Sequence, residues 1–370
     1  MTYMKRTLAL ILALCLMMLC GCGGGEPDPT TEPTEITTAP TEATTEATEA
    51  PTEPTEAPTE ATEPKQLRNP LNGTPIDEPF VNRPFAVSIN NIHAAMPQWG
   101  IAQADILYEF LAEGYATRCL ALFSDITNVQ KLGSIRSFRI YFVNTARAYD
   151  AIIVRAGGSK EADNAIKEFG LDEIDGIQGF AGKAFYRDGD RLNLGYALEH
   201  TLFTNGNLIL ECADQQGYDL TREEGIDYGL NFTEDGTPDG ENASNIKITY
   251  GLGRKVTTMT YEESSGVYLA KQFNNIWCDA TNYDYLRFEN ILVLYTKTWI
   301  QEDGVHLTIP LTGEGDGYFA CGGKIIPIRW SHESDTANYV YTLLDGTPLE
   351  LGVGKTYIAI VPDGTTVDCE

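Results

Sequence analysis

The chain has 370 residues, and its 53 acidic and 26 basic side chains give a net charge of −27 at neutral pH. A polyanion repels nucleic acid and anionic membrane surfaces, so neither is expected to bind the molecule as a whole. The only long apolar run is at the N-terminus, which excludes a multi-span membrane protein.

Residues 1–22 are predicted to be a lipoprotein signal peptide. Lys5 and Arg6 precede a charge-free apolar run over 7–19, which is short for a membrane span but typical of an export signal. The next residues, Leu19-Cys20-Gly21-Cys22, resemble the lipobox of bacterial lipoproteins, and we predict Cys22 as the lipid-modified residue. An ordinary secretory signal is the alternative. Either signal takes the chain to the extracytoplasmic face of the plasma membrane, and the lipobox anchors it there.

Residues 23–64 are predicted to be a disordered tether. From position 26 they repeat Pro-Thr-Glu and Ala-Thr-Glu units with ten Glu, one Asp and no basic residue. Ile36 is the only large aliphatic side chain among them, so burial cannot offset the entropy cost of ordering. At about 3.1 Å per residue in extended polyproline-like conformers, the tether reaches about 130 Å.

Residues 65–225 are predicted to form an α/β module. A short buried strand covers 84–89, and apolar residues on both sides of Glu113-Gly114 favour a β-hairpin over 106–124. Helical spacing predicts a helix over 137–149. A strand over 151–154 then leads through Gly157-Gly158 into a helix over 160–169, for which Ser159 is a good N-cap.

Residues 226–370 are predicted to form a β-rich module, because short apolar segments alternate with Gly, Asp, Asn and Pro clusters. The predicted fold class is therefore mixed α+β. An N-terminal α/β module with a mixed sheet is followed by a C-terminal, mainly antiparallel β module. Aromatic residues of this second module belong to its core or, alternatively, stack on sugar rings: Trp277, Tyr283, Tyr285, Trp299 and Trp330.

Several separated motifs resemble the YerB-like bacterial lipoproteins, which contain domain of unknown function 3048. They include Asn69-Pro70-Leu71-Asn72-Gly73, the run Ala104-Asp105-Ile106-Leu107-Tyr108-Glu109, Ile135-Arg136-Ser137 and Ala156-Gly157-Gly158-Ser159. In the second half, the segment 319–330 and Gly352-Val353-Gly354-Lys355-Thr356-Tyr357-Ile358 extend the likeness. The resemblance implies an N-terminal α/β module, a C-terminal β-rich module and a lipoprotein anchor, but no settled activity. Arg155 stands where the family commonly has a His.

A local excess of basic residues suggests an anion-binding site. Between positions 115 and 160 the chain has seven basic and two acidic residues, against its strongly negative total. Arginine's planar fork suits carboxylates and phosphates, and a glycine loop that opens a helix offers backbone N–H groups. We predict a ligand-binding cleft formed by Arg118, Arg136, Arg139, Arg155, Gly157, Gly158 and Ser159. The alternative is that the arginines pair with nearby acids and stabilise the module.

The sequence patterns that suggest a catalytic site are weaker than the basic cluster that suggests anion binding. Glu109 and Glu113 flank the predicted turn and are candidates for a pair of carboxylates in glycoside hydrolysis. Ser159 and His200 are a candidate nucleophile and base, although no linear spacing brings them together. The catalytic residues therefore stay unknown at this point, and whether the protein is an enzyme stays open.

No cofactor, nucleotide or metal is expected. The sequence has no dinucleotide fingerprint or P-loop, and its four histidines are scattered. Acidic turns predicted at Asp188-Gly189-Asp190, at 235–241 and at Glu314-Gly315-Asp316 lack the spacing of a calcium loop. Five cysteines outside the signal peptide lie far apart and predict no disulfide framework. The expected function is binding of an anionic cell-envelope polymer or an envelope protein, with a cell-wall hydrolase as the alternative.

Overall fold

The computed structural model describes residues 66–180 and 182–370. The predicted signal peptide, Cys22 and the tether lie outside these residues. None of the described helices is long and apolar enough to cross a membrane.

Eight strands and four helices occupy the first half of the described chain. The strands are β1 (Phe85–Asn91), β2 (Ile106–Leu111), β3 (Thr117–Phe123), β4 (Leu132–Gly133), β5 (Ile152–Arg155), β6 (Glu173–Asp175), β7 (Tyr186–Arg187) and β8 (Leu202–Thr204). The helices are α1 (Ile140–Ala148), α2 (Lys160–Glu168), α3 (Gly189–Asn193) and α4 (Gly206–Gln216). Short 3₁₀ turns lie at His93–Ala95, Ile101–Gln103, Glu113–Tyr115, Leu198–His200 and, in the second half, Gly251–Gly253.

The second half is built from strands. They are β9 (Asn231–Thr233), β10 (Glu241–Asn242), β11 (Asn245–Tyr250), β12 (Lys255–Glu262), β13 (Val267–Gln272), β14 (Asn275–Ile276), β15 (Cys278–Asp279), β16 (Asp284–Tyr285), β17 (Arg287–Phe288), β18 (Asn290–Thr296), β19 (Trp299–Ile300), β20 (Leu307–Thr308), β21 (Gly313–Cys321), β22 (Lys324–His332), β23 (Tyr339–Thr342), β24 (Glu350–Gly352), β25 (Thr356–Pro362) and β26 (Val367–Cys369). Together with the four helices, they confirm the predicted mixed α+β class.

A mixed sheet runs through both halves of the chain. Its order is β10-β22-β21-β18-β25-β2-β3-β1-β5-β6, with β23 paired to β22. Strand β25 is parallel to both of its neighbours, β18 and β2, while β2, β3 and β1 are antiparallel. All residues of β1, β2 and β3 are buried, as expected for strands covered on both faces. The sheet therefore joins the two predicted modules through backbone hydrogen bonds, and all described residues belong to one compact unit.

A second, antiparallel sheet has the order β14-β13-β12-β11-β26, with β17 paired to β13. Ile246, Ile248 and Tyr250 alternate with less buried residues along β11, which gives this sheet one apolar face. That face packs on the main sheet, since Tyr250 of β11 hydrogen-bonds Tyr357 of β25 across the core at 2.9 Å.

Several local predictions are confirmed, and two are corrected. The hairpin over 106–124 is β2 and β3, and Ser159 caps α2 by accepting a hydrogen bond from the Ala162 N–H. Helix α1 begins at Ile140, later than predicted, because Phe138 is extended and donates its N–H to the Gly157 carbonyl at 2.9 Å. The predicted acidic turn around Gly315 is wrong, since these residues lie within β21.

Candidate functional site

A cleft lies where β5 and β6 end. The chain leaves β5 at Arg155, turns through Gly157 with a φ of +67°, and enters α2. Strands β5 and β6 are parallel, and ligands commonly bind at the carboxyl ends of parallel strands. The cleft has a volume of about 490 Å³. It is lined by Ile135, Arg136, Ser137, Ala156, Gly157, Gly158, Asp163, Ile177, Gln178, Arg187, Leu198, Glu199 and Leu202.

Arg136 is the partly buried cation of this cleft. Its guanidinium makes no ion pair within residues 66–180 and 182–370, and its buried Nε has no hydrogen-bond partner there. Burial lowers the pKa of Arg136, and the Glu199 carboxylate partly offsets that effect. Arginine nevertheless stays charged at neutral pH, so Arg136 presents a positive charge without a close counter-ion.

Two further donors belong to the same cleft. Arg187 is exposed and donates to the Leu198 carbonyl at 2.6 Å, which positions its guanidinium at the rim. The N–H of Gly157 is already used by Asp175 at 2.8 Å. The N–H of Gly158 has no acceptor in the described part of the chain, so it is the loop's available backbone donor.

Arg155 does not present its guanidinium to the cleft. Its side chain is 3% exposed and contacts Glu173, Asp163 at 2.5 Å and Asp175 at 3.2 Å. Burial alone would lower the pKa of Arg155, but the hydrogen bonds that Arg155 donates to Glu173 and Asp163 outweigh it and raise that pKa. Its prediction as a ligand-binding residue is corrected: Arg155 ties β5, β6 and α2 together.

Gly158 is required by the same ion pairs. A Cβ at this position would lie 2.6 Å from Nη1 of Arg155 and 2.9 Å from Oδ1 of Asp163. Close packing against Arg155 and Asp163 is therefore one reason for glycine in the Gly-Gly-Ser motif, and the position of the motif beside the cleft is another.

Arg118 and Arg139 are also engaged. Both pair with Glu113, and Arg118 donates to the Ser137 carbonyl at 2.7 Å. Burial would raise the pKa of Glu113, but the hydrogen bond from Arg139 and the charge of Arg118 lower it. Neither arginine lines the cleft around Arg136. Of the four predicted arginines, Arg136 is therefore the one available to a ligand there.

The candidate catalytic pairs are not assembled. Ser159 caps α2, whereas His200 is buried, has its pKa lowered by burial, and contacts the Asn90 side chain at 3.0 Å. Glu109 is fully buried, and Glu113 is held by two arginines. A hydrolase with Glu109 and Glu113 facing a water-filled groove is therefore inconsistent with this structure.

Glu109 lies instead at the centre of a buried polar cluster between the two sheets. It contacts Lys255 Nζ, and its Oε2 accepts from Thr257 at 2.9 Å and from Tyr357 at 2.5 Å. Burial would raise the pKa of Glu109, but the Lys255 ammonium outweighs it and lowers that pKa. Sequence reasoning missed this cluster, since Lys255 is 146 positions from Glu109 and no motif joins them.

The aromatic side chains of the second half divide between core and surface. Trp277 and Trp330 are buried, and Tyr285 is half-buried, so these three favour the core interpretation. Tyr283 and Trp299 are exposed. Trp299 borders an open groove of about 1110 Å³ beside β21.

Comparisons with known proteins agree with the resemblance of the motifs. Residues 71–219 match the DUF3048 N-terminal domain and residues 246–358 match the DUF3048 C-terminal domain, both described as protein of unknown function. The chain is 30% identical over 302 residues to "Putative lipoprotein YerB" of Bacillus subtilis (strain 168), covering 81% of this chain and 87% of that protein. The crystal structure of the Bacillus subtilis YerB protein superposes with a TM-score of 0.72 at 29% identity, covering 82% of this chain and all of that one.

Proposed function

The chain belongs to the DUF3048 family, and from that premise we propose that it is a lipid-anchored protein that binds an anionic cell-envelope polymer at Arg136. The proposed location of the protein is the extracytoplasmic face of a bacterial plasma membrane. It is supported by the signal and lipobox pattern that ends at Cys22, and by the word lipoprotein in the name of the Bacillus relative.

The observation that carries the binding proposal is the unpaired guanidinium of Arg136 in an open cleft. A partly buried cation without a close counter-ion has lost water without replacing it, and a phosphate or carboxylate restores that interaction. Arg187 and the N–H of Gly158 provide donors on the same cleft. The cleft is also lined by two acids, Asp163 and Glu199. Arg155 neutralises Asp163, so the positive charges of Arg136 and Arg187 outnumber the remaining negative charge of Glu199.

The acidity of the rest of the chain makes such a binding site selective. Repulsion from the surface disfavours nonspecific attachment of a polyanion, so binding depends on the few positive groups that reach it. An envelope protein with an acidic segment is a different partner class, and it is an outcome of the polymer comparison described below.

The test is binding of purified teichoic acid, a glycerol-phosphate polymer, to the full-length protein in detergent. We expect Arg136→Ala to weaken binding about tenfold or more, because a charge-assisted, bidentate contact is lost. Arg329→Ala is the matched control, since Arg329 is exposed and pairs with Asp316 away from the cleft. Equal affinity of the Arg136 variant and the wild type would contradict the proposal, as would an equal loss in both variants.

A second polymer distinguishes the two anion chemistries. Polyglutamate carries carboxylates in place of phosphates, and comparing the two polymers at one salt concentration shows which group the cleft prefers. Binding that falls steeply with salt and depends on Arg136 supports a charge-based site.

A further inference from the structure

The buried cluster between the sheets contains an amine, an amide and a carboxylate in mutual reach. Lys255 comes from β12 of the second sheet, while Asn91 and Glu109 come from β1 and β2 of the main sheet. Their exposed fractions are 3%, 1% and 0%. The cleft proposed above uses none of these three residues.

One oxygen connects the three groups. Oε1 of Glu109 accepts a hydrogen bond from Nδ2 of Asn91 at 2.9 Å and also contacts Nζ of Lys255. Two donors that share one acceptor at ordinary hydrogen-bond lengths lie within about 6 Å of each other. The amine of Lys255 and the amide of Asn91 are therefore neighbours across one carboxylate oxygen.

The surroundings of Lys255 exclude water. Its Nζ lies 5.1 Å from the ring centroid of Trp277, 5.4 Å from that of Tyr250 and 5.6 Å from that of Phe273. Lysine becomes nucleophilic when it is desolvated and loses a proton. Here the Glu109 carboxylate contacts Nζ, so it is the group placed to take a proton from Nζ in the reaction without exchange with solvent.

The Asn91 amide is held and polarised. Nε2 of Gln98 donates to Oδ1 of Asn91 at 3.2 Å, and Gln98 is itself oriented because its Oε1 accepts from the Trp277 indole at 2.5 Å. A fixed donor at the amide oxygen stabilises the negative charge that develops when a nucleophile adds to the carbon.

We propose that Lys255 and Asn91 form an intramolecular amide bond, with Glu109 as the proton carrier. Neutral Nζ adds to Cγ of Asn91 while Gln98 donates to the oxygen. The new N–C bond forms and the bond from Cγ to Nδ2 breaks. The proton that Glu109 received from Lys255 and the second proton that Nζ loses on becoming an amide both pass to the leaving nitrogen, which departs as ammonium. No oxidant or co-reactant is required, and Glu109 is regenerated.

This bond would connect the two sheets covalently. It joins β1 to β12 and closes a long loop of the chain, which restricts the unfolded state in the same way as a disulfide. For an exported protein whose cysteines are all free in the described part, it supplies a crosslink that does not depend on redox conditions.

The test is peptide mapping of the mature, full-length lipoprotein after complete trypsin digestion. Asn91 falls in the peptide 69–118, because Pro84 blocks cleavage after Arg83, and Lys255 opens the peptide 255–271. We expect these two peptides as one crosslinked species, lighter than their sum by one ammonia, with no cleavage after Lys255. Recovery of the separate peptides 69–118 and 256–271 from folded protein would overturn the proposal.

Matched variants separate this bond from other losses of ammonia. A succinimide at Asn72-Gly73 also loses ammonia, but it stays within the peptide 69–118 and persists in Lys255→Arg. We expect Lys255→Arg and Glu109→Gln to abolish the crosslinked species. A crosslink that persists in Lys255→Arg would overturn the assignment to Lys255. Because either variant can fail to fold, the wild-type peptide map decides the proposal by itself.

Discussion

Arg136 lines the cleft and Arg155 ends the neighbouring strand β5 without lining it, and their surroundings give the two arginines different roles. Arg155 is surrounded by Asp163, Glu173 and Asp175, whereas Arg136 has no acid in contact within the described residues. Buried charges are stable when they are paired, so the first arginine stabilises the fold and the second is available to a ligand.

Arg155→Ala is expected to destabilise the protein by about 3–5 kcal/mol, because three clustered carboxylates lose their shared counter-ion. The measurement is the free energy of unfolding in guanidinium chloride at neutral pH. Arg287→Ala is the control, since Arg287 pairs with Glu262 and Asp284 at the surface and should cost little. Similar losses in both variants would contradict the structural role of Arg155.

Glu113 predicts a pH dependence. Its pKa is lowered in the folded protein, against the effect of burial, by Arg139 and Arg118. As the pH falls, Glu113 therefore takes up a proton in the unfolded chain before it does so in the folded protein. The stabilisation is complete above the unfolded pKa of about 4.3 and disappears as the pH drops through the lower folded value.

Glu113→Gln is therefore expected to cost about 2 kcal/mol of stability at pH 7 and much less at pH 3, where the wild-type carboxyl is also becoming neutral. Denaturant unfolding at the two pH values measures the difference. Glu263→Gln is the control at an exposed glutamate. A cost that stays constant between pH 7 and pH 3 would refute the charge interaction.

Among the strands, β21 shows why residue composition alone predicted a turn at 314–316 where the chain forms a strand. Its Gly-Glu-Gly-Asp-Gly start has the residues of a turn, yet it pairs with β22 along its whole length. Glycine is needed there because a Cβ on Gly315 would lie 2.6 Å from the Trp330 indole nitrogen and 2.8 Å from the Tyr295 carbonyl oxygen.

Gly315→Ala is expected to destabilise the protein by about 1–3 kcal/mol, through displacement of Trp330. Thermal or denaturant unfolding, together with Trp fluorescence, reports the change. Gly189→Ala is the control, because Gly189 is exposed in α3 and a Cβ there meets no atom within 4 Å. An unchanged stability in Gly315→Ala would show that β21 accommodates a side chain.

At the scale of the whole molecule, the division into modules at 225 and 226 stays a prediction. The two family domains, over 71–219 and 246–358, agree with two segments in sequence. In space, however, β25 from the end of the chain lies between β2 and β18. The packed face of the second sheet adds Lys255 to the same core as Glu109. The two segments therefore share one main sheet.

Much of this protein was determined by local sequence. Continuous apolar runs specified the buried strands β1 to β3, and Ser159 marked the start of α2, because these features depend on neighbouring residues. The predictions of an export signal and of an acidic tether likewise rest on composition, and they stay predictions. Gly157 and Gly158 lie between β5 and α2 as predicted, and Arg136 lines the same cleft, while their role in ligand binding stays a prediction.

The roles of the charged residues were decided only by tertiary structure. Arg155 meets Glu173 and Asp175 because β6 pairs with β5, and Glu109 meets Lys255 because a second sheet covers the first. Ion pairing and burial depend on distances in space, which residues far apart in sequence acquire only on folding. That is why the sequence predicted a basic cluster, while the fold left Arg136 as its accessible guanidinium in the cleft.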